Sequence, residues 1–300
     1  MSVPMIIDTD PGVDDAVALM LAAAGPEVRL LAVTTVFGNV GVEITTANAL
    51  RLRALAGLDR LPVALGAARP LVYPRDERTD SWHGRDGLGG HAHLLPEPTG
   101  SIHASGAVAL LAELLHAAAT PVTLVAIGPL TNIALLLAAH PEIKPRIDRI
   151  VIMGGHLGGP EAEFNVRSDP EAARRVLVEE DVPVTLVPLD LTLRTAIDGA
   201  WLTELAAAGP RCATLAAIVA HCRKVTGRDA IALHDPLAVL EAAAPGTLRT
   251  TSMPLEVACD QGPVRGAVVT GSGPRAVQVA LDADLPSIIA TILHRLQVLR

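Results

Sequence analysis

Short runs of apolar and β-branched residues alternate along most of the chain with longer stretches rich in alanine and leucine. The short runs are 5–7, 30–36, 122–127, 150–152 and 184–187, and the helical stretches include 14–24, 43–56, 105–118, 131–139 and 170–179. Because the short runs do not alternate with charged residues, they are typical of strands that are buried on both faces. The pattern therefore predicts an α/β fold, with an open, largely parallel sheet and helices on both faces.

The pattern changes after about Thr247, where valine-rich and glycine-rich runs replace the long helical stretches. Further strands are predicted here at 255–259, 265–270 and 277–281, followed by a final helix. No low-complexity linker separates them from the rest of the chain, so we expect them to be added at an edge of the same sheet. Residues 1–300 are therefore expected to form a single domain.

Composition and charge argue against several classes of function. The 300 residues carry 24 basic and 32 acidic side chains, a net charge of −8 that speaks against nucleic acid as a partner. No stretch of ~20 uninterrupted apolar residues is present to cross a membrane, and the first residues lack the basic region of a signal peptide. The three cysteines form no CxxC pair, which speaks against disulfides and thiolate metal sites. We expect a cytoplasmic protein that binds neither nucleic acid nor membrane.

Four carboxylates lie within eight residues, where the first predicted strand gives way to the first helix. Asp14 and Asp15 fall in the first helical turn, where the helix dipole stabilises negative charge. Asp8 and Asp10 precede the helix, and the dipole does not explain them. Crowded carboxylates repel one another, and a hard divalent cation with oxygen ligands relieves that repulsion. The segment therefore favours a Ca²⁺ or Mg²⁺ site.

Two further aspartates, Asp169 and Asp235, each precede a proline at the start of a predicted helix. Aspartate is a common N-cap residue, and proline is common at the first helical position. From these residues alone, an N-cap is the favoured interpretation of both aspartates. A role for Asp235 as a further carboxylate of the acidic site is the alternative.

Seven short motifs follow one another in order along the chain. They are Asp8-Thr9-Asp10-Pro11-Gly12-Val13-Asp14-Asp15, Gly38-Asn39, His83-Gly84 with Gly87-Leu88-Gly89, Gly128-Pro129-Leu130-Thr131-Asn132, Met153-Gly154-Gly155, Glu163-Phe164-Asn165 with Asp169-Pro170-Glu171-Ala172, and His234-Asp235-Pro236. In this order they resemble the motifs of the nucleoside hydrolases of the inosine–uridine preferring type. A single DxD after a strand occurs in several folds, whereas the ordered set is specific.

The resemblance implies an open α/β sheet and hydrolysis of the N-glycosidic bond of a ribonucleoside, which gives ribose and a free base. It also implies one Ca²⁺ bound by the carboxylates of Asp10, Asp15 and Asp235 and by the backbone carbonyl of Ile127. Asp10 matches the family's general base, which takes a proton from a water whose pKa the metal lowers. Asp8 is expected to position the loop by hydrogen bonds.

The other matched residues are implied to hold the substrate. They are, in chain order, Asp14, Asn39, His83, Met153, Glu163, Phe164 and Asn165. Carboxylates and amides among them can stabilise the positive charge that develops on the ribose ring. The leaving base needs a proton or a hydrogen-bond donor. His234 is the first candidate, because imidazole titrates near neutral pH, and His83 is the second, as a direct contact of the base.

The chain departs from the family pattern in two places. Gly158-Gly159-Pro160 stands where relatives usually carry an asparagine for the ribose 5′-hydroxyl, which leaves Glu163 as the matched group for that end of the sugar. Segment 221–233 has none of the tyrosine or glutamine residues by which pyrimidine-preferring members hold the base, so the base preference stays open. Relatives commonly form homodimers or homotetramers, and we expect the same here.

Two other functions compete with nucleoside hydrolysis. A Mg²⁺-dependent phosphohydrolase of the haloacid dehalogenase type also begins with DxD after a strand, but it needs a downstream lysine to neutralise its aspartyl phosphate. The chain offers Lys144 and Lys224, and Lys144 lies in a proline-flanked turn. The second alternative is a catalytically silent protein on the hydrolase fold that binds nucleosides or sugars. The altered 158–160 segment keeps this alternative open, whereas the intact Asp10 and His234-Asp235 speak against it.

Overall fold

The computed structural model describes residues 2–75, 82–98, 100–159 and 161–299. Its strands are β1 (Val3–Thr9), β2 (Val28–Thr35), β3 (Val63–Leu65), β4 (Val122–Ala126), β5 (Ile147–Met153), β6 (Val184–Val187), β7 (Leu248–Met253), β8 (Leu255–Val257), β9 (Val268–Thr270) and β10 (Val277–Ala283). Its α-helices are α1 (Val13–Ala24), α2 (Val42–Leu55), α3 (Gly106–Ala117), α4 (Thr131–Ala139), α5 (Phe164–Ser168), α6 (Pro170–Arg174), α7 (Leu189–Thr192), α8 (Gly199–Ala207), α9 (Pro210–Thr226), α10 (Asp235–Ala243) and α11 (Leu285–Gln297). The predicted elements are present with small shifts at their ends, except that the helix predicted at 170–179 continues as a π-helix at Arg175–Glu179. Within the described ranges, no helix is both long and apolar enough to cross a membrane.

In the described part of the chain, eight strands form the central sheet in the order β3-β2-β1-β4-β5-β6-β10-β7, and each pair is parallel except β10 with β7. Alternate residues of β1 enter different apolar clusters, since Met5 and Ile7 pack into one and Ile6 into the other. Helices cover both faces of such a sheet, which is why its strands are apolar at successive positions. The predicted α/β fold is confirmed.

The C-terminal strands differ in part from the prediction. β10 joins the central sheet beside β6, as expected, but β8 and β9 pair with each other in a separate antiparallel sheet. The expectation that 255–259 and 265–270 extend the main sheet is therefore wrong. Pro254 separates β7 from β8, and the buried side chains of Leu255 and Val268 pack in the apolar cluster around α6. The hairpin thus covers a helix instead of lengthening the sheet.

The strand order changes direction at β1, because β2 and β3 are added on one side of it and β4, β5 and β6 on the other. In open α/β sheets, ligands bind beyond the carboxyl ends of the strands at such a point. The segments that follow β1, β2, β4 and β5 meet there. They carry the matched residues Asp10, Asn39, Gly128 and Glu163.

Helix α10 is held at its C-terminal end by Arg149 of β5. The Arg149 guanidinium donates hydrogen bonds to the carbonyl oxygens of Glu241 at 2.8 Å and Ala242 at 3.2 Å, and it lies 3.8 Å from the Glu241 carboxylate. That buried carboxylate also accepts hydrogen bonds from the backbone of Gly246 and Leu248. A cation at this end of a helix opposes the negative end of the helix dipole.

Replacing Arg149 with methionine should lower the free energy of unfolding by about 3 kcal/mol, because the Glu241 carboxylate would stay buried without its cation. Urea unfolding followed by circular dichroism measures the change. Arg249→Met is a matched control, because Arg249 pairs with Asp282 at the surface, where water screens the charges. The control should lose far less stability, and equal losses in the two variants would contradict the role of Arg149.

Candidate active site

Asp8, near the end of β1, ties neighbouring strand ends together. Its Oδ1 accepts hydrogen bonds from the hydroxyl of Thr34 at 2.5 Å and from the side-chain amide of Asn132 at 2.8 Å. The same amide donates to the carbonyl of Thr35, and its oxygen accepts from the backbone of Ala67. Burial raises the pKa of Asp8 to about 7, although the hydrogen bonds from Thr34 and Asn132 lower it. Asp8 thus ties β1 to β2 and to the start of α4.

Asp10 lies in a slot between two glycines. A Cβ atom on Gly38 would collide with Oδ2 of Asp10, and a Cβ atom on Gly128 would lie 2.6 Å from Oδ1, so neither position has room for a side chain. Oδ2 accepts a hydrogen bond from the backbone of Asn39 at 2.7 Å. Oδ1 is buried and has no hydrogen-bond partner among the described residues. Burial and the neighbouring Asp15 hold the pKa of Asp10 well above its usual range.

Three other carboxylates converge beside this slot. Asp14, Asp15 and Asp235 each place one oxygen within 4.8 Å of the other two. Asp15 is fixed by the hydroxyl of Thr9 at 2.5 Å and the backbone N–H of Gly12 at 2.8 Å. Burial and the charge of Asp14 raise the pKa of Asp15 to about 7, and they raise the pKa of Asp235 well above its usual range. A divalent cation would relieve this repulsion.

The N-cap interpretation of Asp235 is wrong. Helix α10 includes Asp235 as its first residue, and His234 occupies the N-cap position. The helix thus starts one residue earlier than the Asp-Pro pattern predicts. As a result, the carboxylate of Asp235 lies near Asp14 and does not turn back to the helix backbone. The N-cap interpretation of Asp169 is confirmed, because its side chain accepts a hydrogen bond from the backbone of Ala172 at 3.1 Å.

A cleft of about 270 Å³ opens at this edge of the sheet. The predicted site residues that line it are Asp14, Asp15, Asn39, Ile127, His83, Met153, Glu163, Phe164, Asn165, His234 and Asp235. Asp10 is the exception, since it is buried and does not line the cleft. Asn39 connects the buried Asp10 to the cleft, because its side-chain amide donates to the carbonyl of Asp10 at 3.1 Å and to the carboxylate of Asp15 at 3.2 Å. The structure therefore brings the predicted residues to one place.

Glu163 and Asn165 are held by the first turn of α5. Glu163 is the N-cap of this helix, and its oxygens accept hydrogen bonds from the backbone of Asn165 at 2.8 Å and Val166 at 3.0 Å. Burial raises the pKa of Glu163. The side-chain amide of Asn165 donates to the carbonyl oxygens of Ile127 and Met153, each at 3.2 Å. The carbonyl oxygen of Ile127, which the resemblance implies as a metal ligand, thus accepts a hydrogen bond from Asn165.

The two candidate histidines make different hydrogen bonds. Nδ1 of His83 accepts a hydrogen bond from the backbone N–H of Val13 at 3.0 Å, so the neutral ring carries its proton on Nε2. Nδ1 of His234 is hydrogen-bonded to the hydroxyl of Thr192 at 2.8 Å. Burial lowers the pKa of His234, although the charge of Asp14 acts in the opposite direction. Each ring is therefore oriented by a hydrogen bond to its Nδ1.

Comparison with known proteins agrees with this geometry. A family model described as inosine-uridine preferring nucleoside hydrolase matches residues 5–290. The chain belongs to this family. The resemblance found in the motifs is confirmed, and with it the class of activity, which is hydrolysis of the N-glycosidic bond of nucleosides.

Relatives of this nucleoside hydrolase carry names for both classes of base. The pyrimidine-specific ribonucleoside hydrolase RihA of Salmonella agona (strain SL483) is 37% identical over 313 residues, which cover 99% of each chain. The structure of a plant nucleoside hydrolase, PpNRh1, matches with a TM-score of 0.92 at 29% identity, over 99% of this chain and 100% of that chain. The structure of a purine-preferring ribonucleoside hydrolase from Gardnerella vaginalis matches with a TM-score of 0.90 at 30% identity, over 99% and 98% of the two chains.

The cleft of this hydrolase also contains residues that no motif indicates. Trp82, Cys222 and Arg228 line it. The thiol of Cys222 donates a hydrogen bond to the carbonyl of Trp82 at 3.3 Å, and the guanidinium carbon of Arg228 lies 5.7 Å from the centre of the Trp82 indole. Trp82 directly precedes the His83-Gly84 motif, and Cys222 and Arg228 fall in segment 221–233, which the resemblance relates to the base, but their residue types alone do not mark them. Their place in the site follows from the fold, which brings the end of α9 to the loop before α3.

The segment that lacks the family's asparagine is tied to α7. The Asp190 carboxylate accepts hydrogen bonds from the backbone of Leu157 at 2.8 Å and of Gly158 at 2.6 Å. Residues 156–159 do not line the cleft, and Pro160 lies outside the described residues. Glu163, which does line the cleft, is the group predicted for the 5′ end of the ribose.

Proposed function

We propose that the chain hydrolyses ribonucleosides with one Ca²⁺ held by Asp10, Asp15, Asp235 and the carbonyl of Ile127. One observation carries the proposal: three carboxylates converge within 4.8 Å beside Asp10, which has a buried oxygen without a hydrogen-bond partner among the described residues. Buried polar atoms are rarely left without a partner. The proposed ligand atoms are all oxygens, which Ca²⁺ prefers. The residues therefore fit a hard cation.

A bound Ca²⁺ would lower the pKa of the attacking water and offset the charge of the crowded carboxylates. Asp10 accepts the proton of the water that attacks C1′ of the ribose. The bond from C1′ to the base nitrogen breaks, and its electron pair leaves with the base, which then takes up a proton. The products are ribose and the free base.

Different residues around the cleft bind different parts of the substrate. Asp14, Asn39 and Asn165 bind the ribose hydroxyls and stabilise positive charge on the ring, and Glu163 binds the 5′ end. Met153 and Phe164 provide the apolar surface of the sugar site. His234 donates the proton to the leaving base, and His83 contacts the base.

Incubation with inosine and with uridine, followed by an assay for reducing sugar, tests the reaction. Release of ribose from either nucleoside supports hydrolysis. Binding of both nucleosides without release of ribose, in the presence of Ca²⁺, would identify a silent binding protein instead.

Removal of the metal with a chelator should abolish most of the turnover, and Ca²⁺ should restore it more fully than Mg²⁺, which tolerates only near-octahedral sites. Because Ca²⁺ binds the folded state, its addition to the stripped protein should also raise the thermal unfolding midpoint. Elemental analysis follows the ion through both steps. Full activity in protein that elemental analysis finds free of metal would contradict the proposed site.

We also propose that the chain forms a homodimer or homotetramer and acts in the cytoplasm, where its products enter nucleoside salvage. Leu71, Val72 and Tyr73 are consecutive and exposed, and a second copy of the chain is a common cover for such a surface. Light scattering that gives the mass of a monomer at micromolar concentration would contradict the assembly.

A further inference from the structure

Asn48 lies in the interior of α2, and only 1% of it is exposed. Its side-chain amide donates two hydrogen bonds, and both leave the helix. One reaches the carbonyl oxygen of Pro11 at 3.1 Å, and the other reaches the carbonyl oxygen of Asp86 at 2.8 Å. Asparagine is a poor helix former, so the stability of α2 does not explain this residue. Both N–H groups of the amide instead join two segments that are distant in the sequence.

The first hydrogen bond fixes the peptide unit between Pro11 and Gly12. The N–H group of the same unit, on Gly12, donates to Oδ2 of Asp15 at 2.8 Å. A peptide unit is planar, and its C=O and N–H groups point in opposite directions. The bond from Asn48 to the carbonyl therefore also holds the N–H group in its direction toward Asp15. Groups that hydrogen-bond to a metal ligand orient that ligand, so Asn48 fixes the Asp15 carboxylate through one peptide unit.

The second hydrogen bond fixes the loop of residues 83–92. The carboxylate of Asp86 organises this loop by accepting three backbone hydrogen bonds, from Leu88 at 3.0 Å, Gly90 at 2.8 Å and Ala92 at 3.0 Å. His83 is at the start of the loop, where its Nδ1 accepts a hydrogen bond from the backbone of Val13 at 3.0 Å. Asn48 therefore attaches an already organised loop, with His83 at one end, to helix α2.

The loop packs directly against the Asn48 amide. A Cβ atom on Gly87 would lie 2.8 Å from the amide nitrogen and 3.1 Å from the carbonyl oxygen of Pro11. Gly87 also has a left-handed backbone, at φ 78°, which glycine adopts without strain. Gly87 therefore allows the loop to approach so closely that one side chain bridges the two segments.

We infer that Asn48 is a positioning residue that sets the Asp15 carboxylate and the His83 ring relative to each other. Asp15 is a ligand of the proposed Ca²⁺ at the ribose, and His83 is the proposed contact of the base, so the two residues hold opposite ends of the nucleoside. Asn48 fixes both to one helix, although it does not itself line the cleft. Small errors in such an arrangement are costly to the rate. The inference rests on the proposed function.

The test replaces Asn48 with alanine and measures Ca²⁺ binding apart from turnover. In titration calorimetry of metal-stripped protein with Ca²⁺, Asn48→Ala should weaken binding by about 10- to 100-fold, the usual effect of losing a group that orients a metal ligand. At saturating Ca²⁺, kcat/KM for inosine and uridine should also fall, by up to about 10²-fold, because the loop that carries His83 is no longer held. Asn48→Leu, which fills the volume of the side chain without its donors, should show the same losses.

Thr46→Val is the matched control on α2. Thr46 is also buried, and its hydroxyl is hydrogen-bonded to the hydroxyl of Thr35 and the carbonyl of Val42, each at 2.6 Å. This variant loses buried hydrogen bonds without touching either segment, so it should keep the Ca²⁺ affinity and the activity of the wild type. Asp86→Ala loosens the loop alone, so it should lower kcat/KM and leave Ca²⁺ binding unchanged. Wild-type Ca²⁺ affinity in Asn48→Ala would overturn the inference, as would an equal loss of affinity in either comparison variant.

Hydrogen–deuterium exchange of the metal-free protein separates this inference from the proposed hydrolysis, because it requires neither Ca²⁺ nor turnover. Asn48→Ala should exchange faster than the wild type in segments 8–15 and 83–92, where local opening becomes easier, and Thr46→Val should not. If the wild type bound no Ca²⁺ and released no ribose but this difference were found, the proposed function would fail and the link through Asn48 would stand. Unchanged exchange of both segments in Asn48→Ala would overturn the link in either case.

Discussion

Replacement of Asp10 by asparagine should lower kcat on inosine or uridine by about 10²- to 10⁴-fold, the range expected for loss of a general base. Asparagine has the shape of aspartate, so it fits the slot between Gly38 and Gly128. It can also still accept the hydrogen bond from the backbone of Asn39. The loss would thus come from the missing carboxylate and not from a rearranged loop. Steady-state kinetics with saturating nucleoside and excess Ca²⁺ measures it.

Asp260→Asn is the control for this experiment, because Asp260 is exposed and lies outside the cleft. It makes the same chemical change and should leave kcat near the wild-type value. Circular dichroism and the unfolding midpoint confirm that both variants are folded. An Asp10→Asn enzyme as active as the control would contradict the role of Asp10 as general base.

Removal of the 2′-hydroxyl from the substrate should lower kcat/KM by about 10⁴-fold or more, because a site built to bind a hydroxyl is left with unpaired buried groups. The group at stake is the carboxylate of Asp14, which lines the cleft among the converging carboxylates. Comparison of uridine with 2′-deoxyuridine, and of inosine with 2′-deoxyinosine, measures the loss.

The 5′-deoxy analogue provides the internal comparison. Glu163, the group predicted for that end of the sugar, already accepts hydrogen bonds from the backbone of Asn165, Val166 and Gly155. It stays satisfied when the 5′-hydroxyl is absent, so 5′-deoxyuridine should lose much less activity than 2′-deoxyuridine. Equal rates on uridine and 2′-deoxyuridine would contradict the proposed ribose site.

The buried elements of the fold could be predicted from the sequence, whereas its edges could not. β4 and β6 are wholly buried, so their apolar runs mark them clearly. β7 reads Leu-Arg-Thr-Thr-Ser-Met, and most of it is exposed at the edge of the sheet, where polar residues are tolerated and the pattern fades. The pattern predicts the two strands of the β8–β9 hairpin but not their sheet, because a local pattern does not specify the partner of a strand.

In the candidate site, too, some residues could be predicted from the sequence to lie together, whereas others are brought together only by the fold. Asp8, Asp10, Asp14 and Asp15 are close in sequence, so their crowding is visible without a structure. The carboxylate of Asp235 joins them only through the packing of α10, and an Asp-Pro pair is compatible with an N-cap as well. Arg228 falls in segment 221–233, which the resemblance relates to the base, but only the fold places it against Trp82.

The slot that holds Asp10 gives a criterion for recognising loss of function among related chains. Gly38 and Gly128 take no part in the chemistry, yet each lies where a single methyl group would meet the carboxylate. A paralogue that keeps each aspartate but carries a side chain in place of either glycine would have no room for the carboxylate of Asp10, its general base. A related chain can therefore lose its activity through substitution of one of two residues that do not contact the nucleoside. A sequence comparison limited to the aspartates would miss this loss.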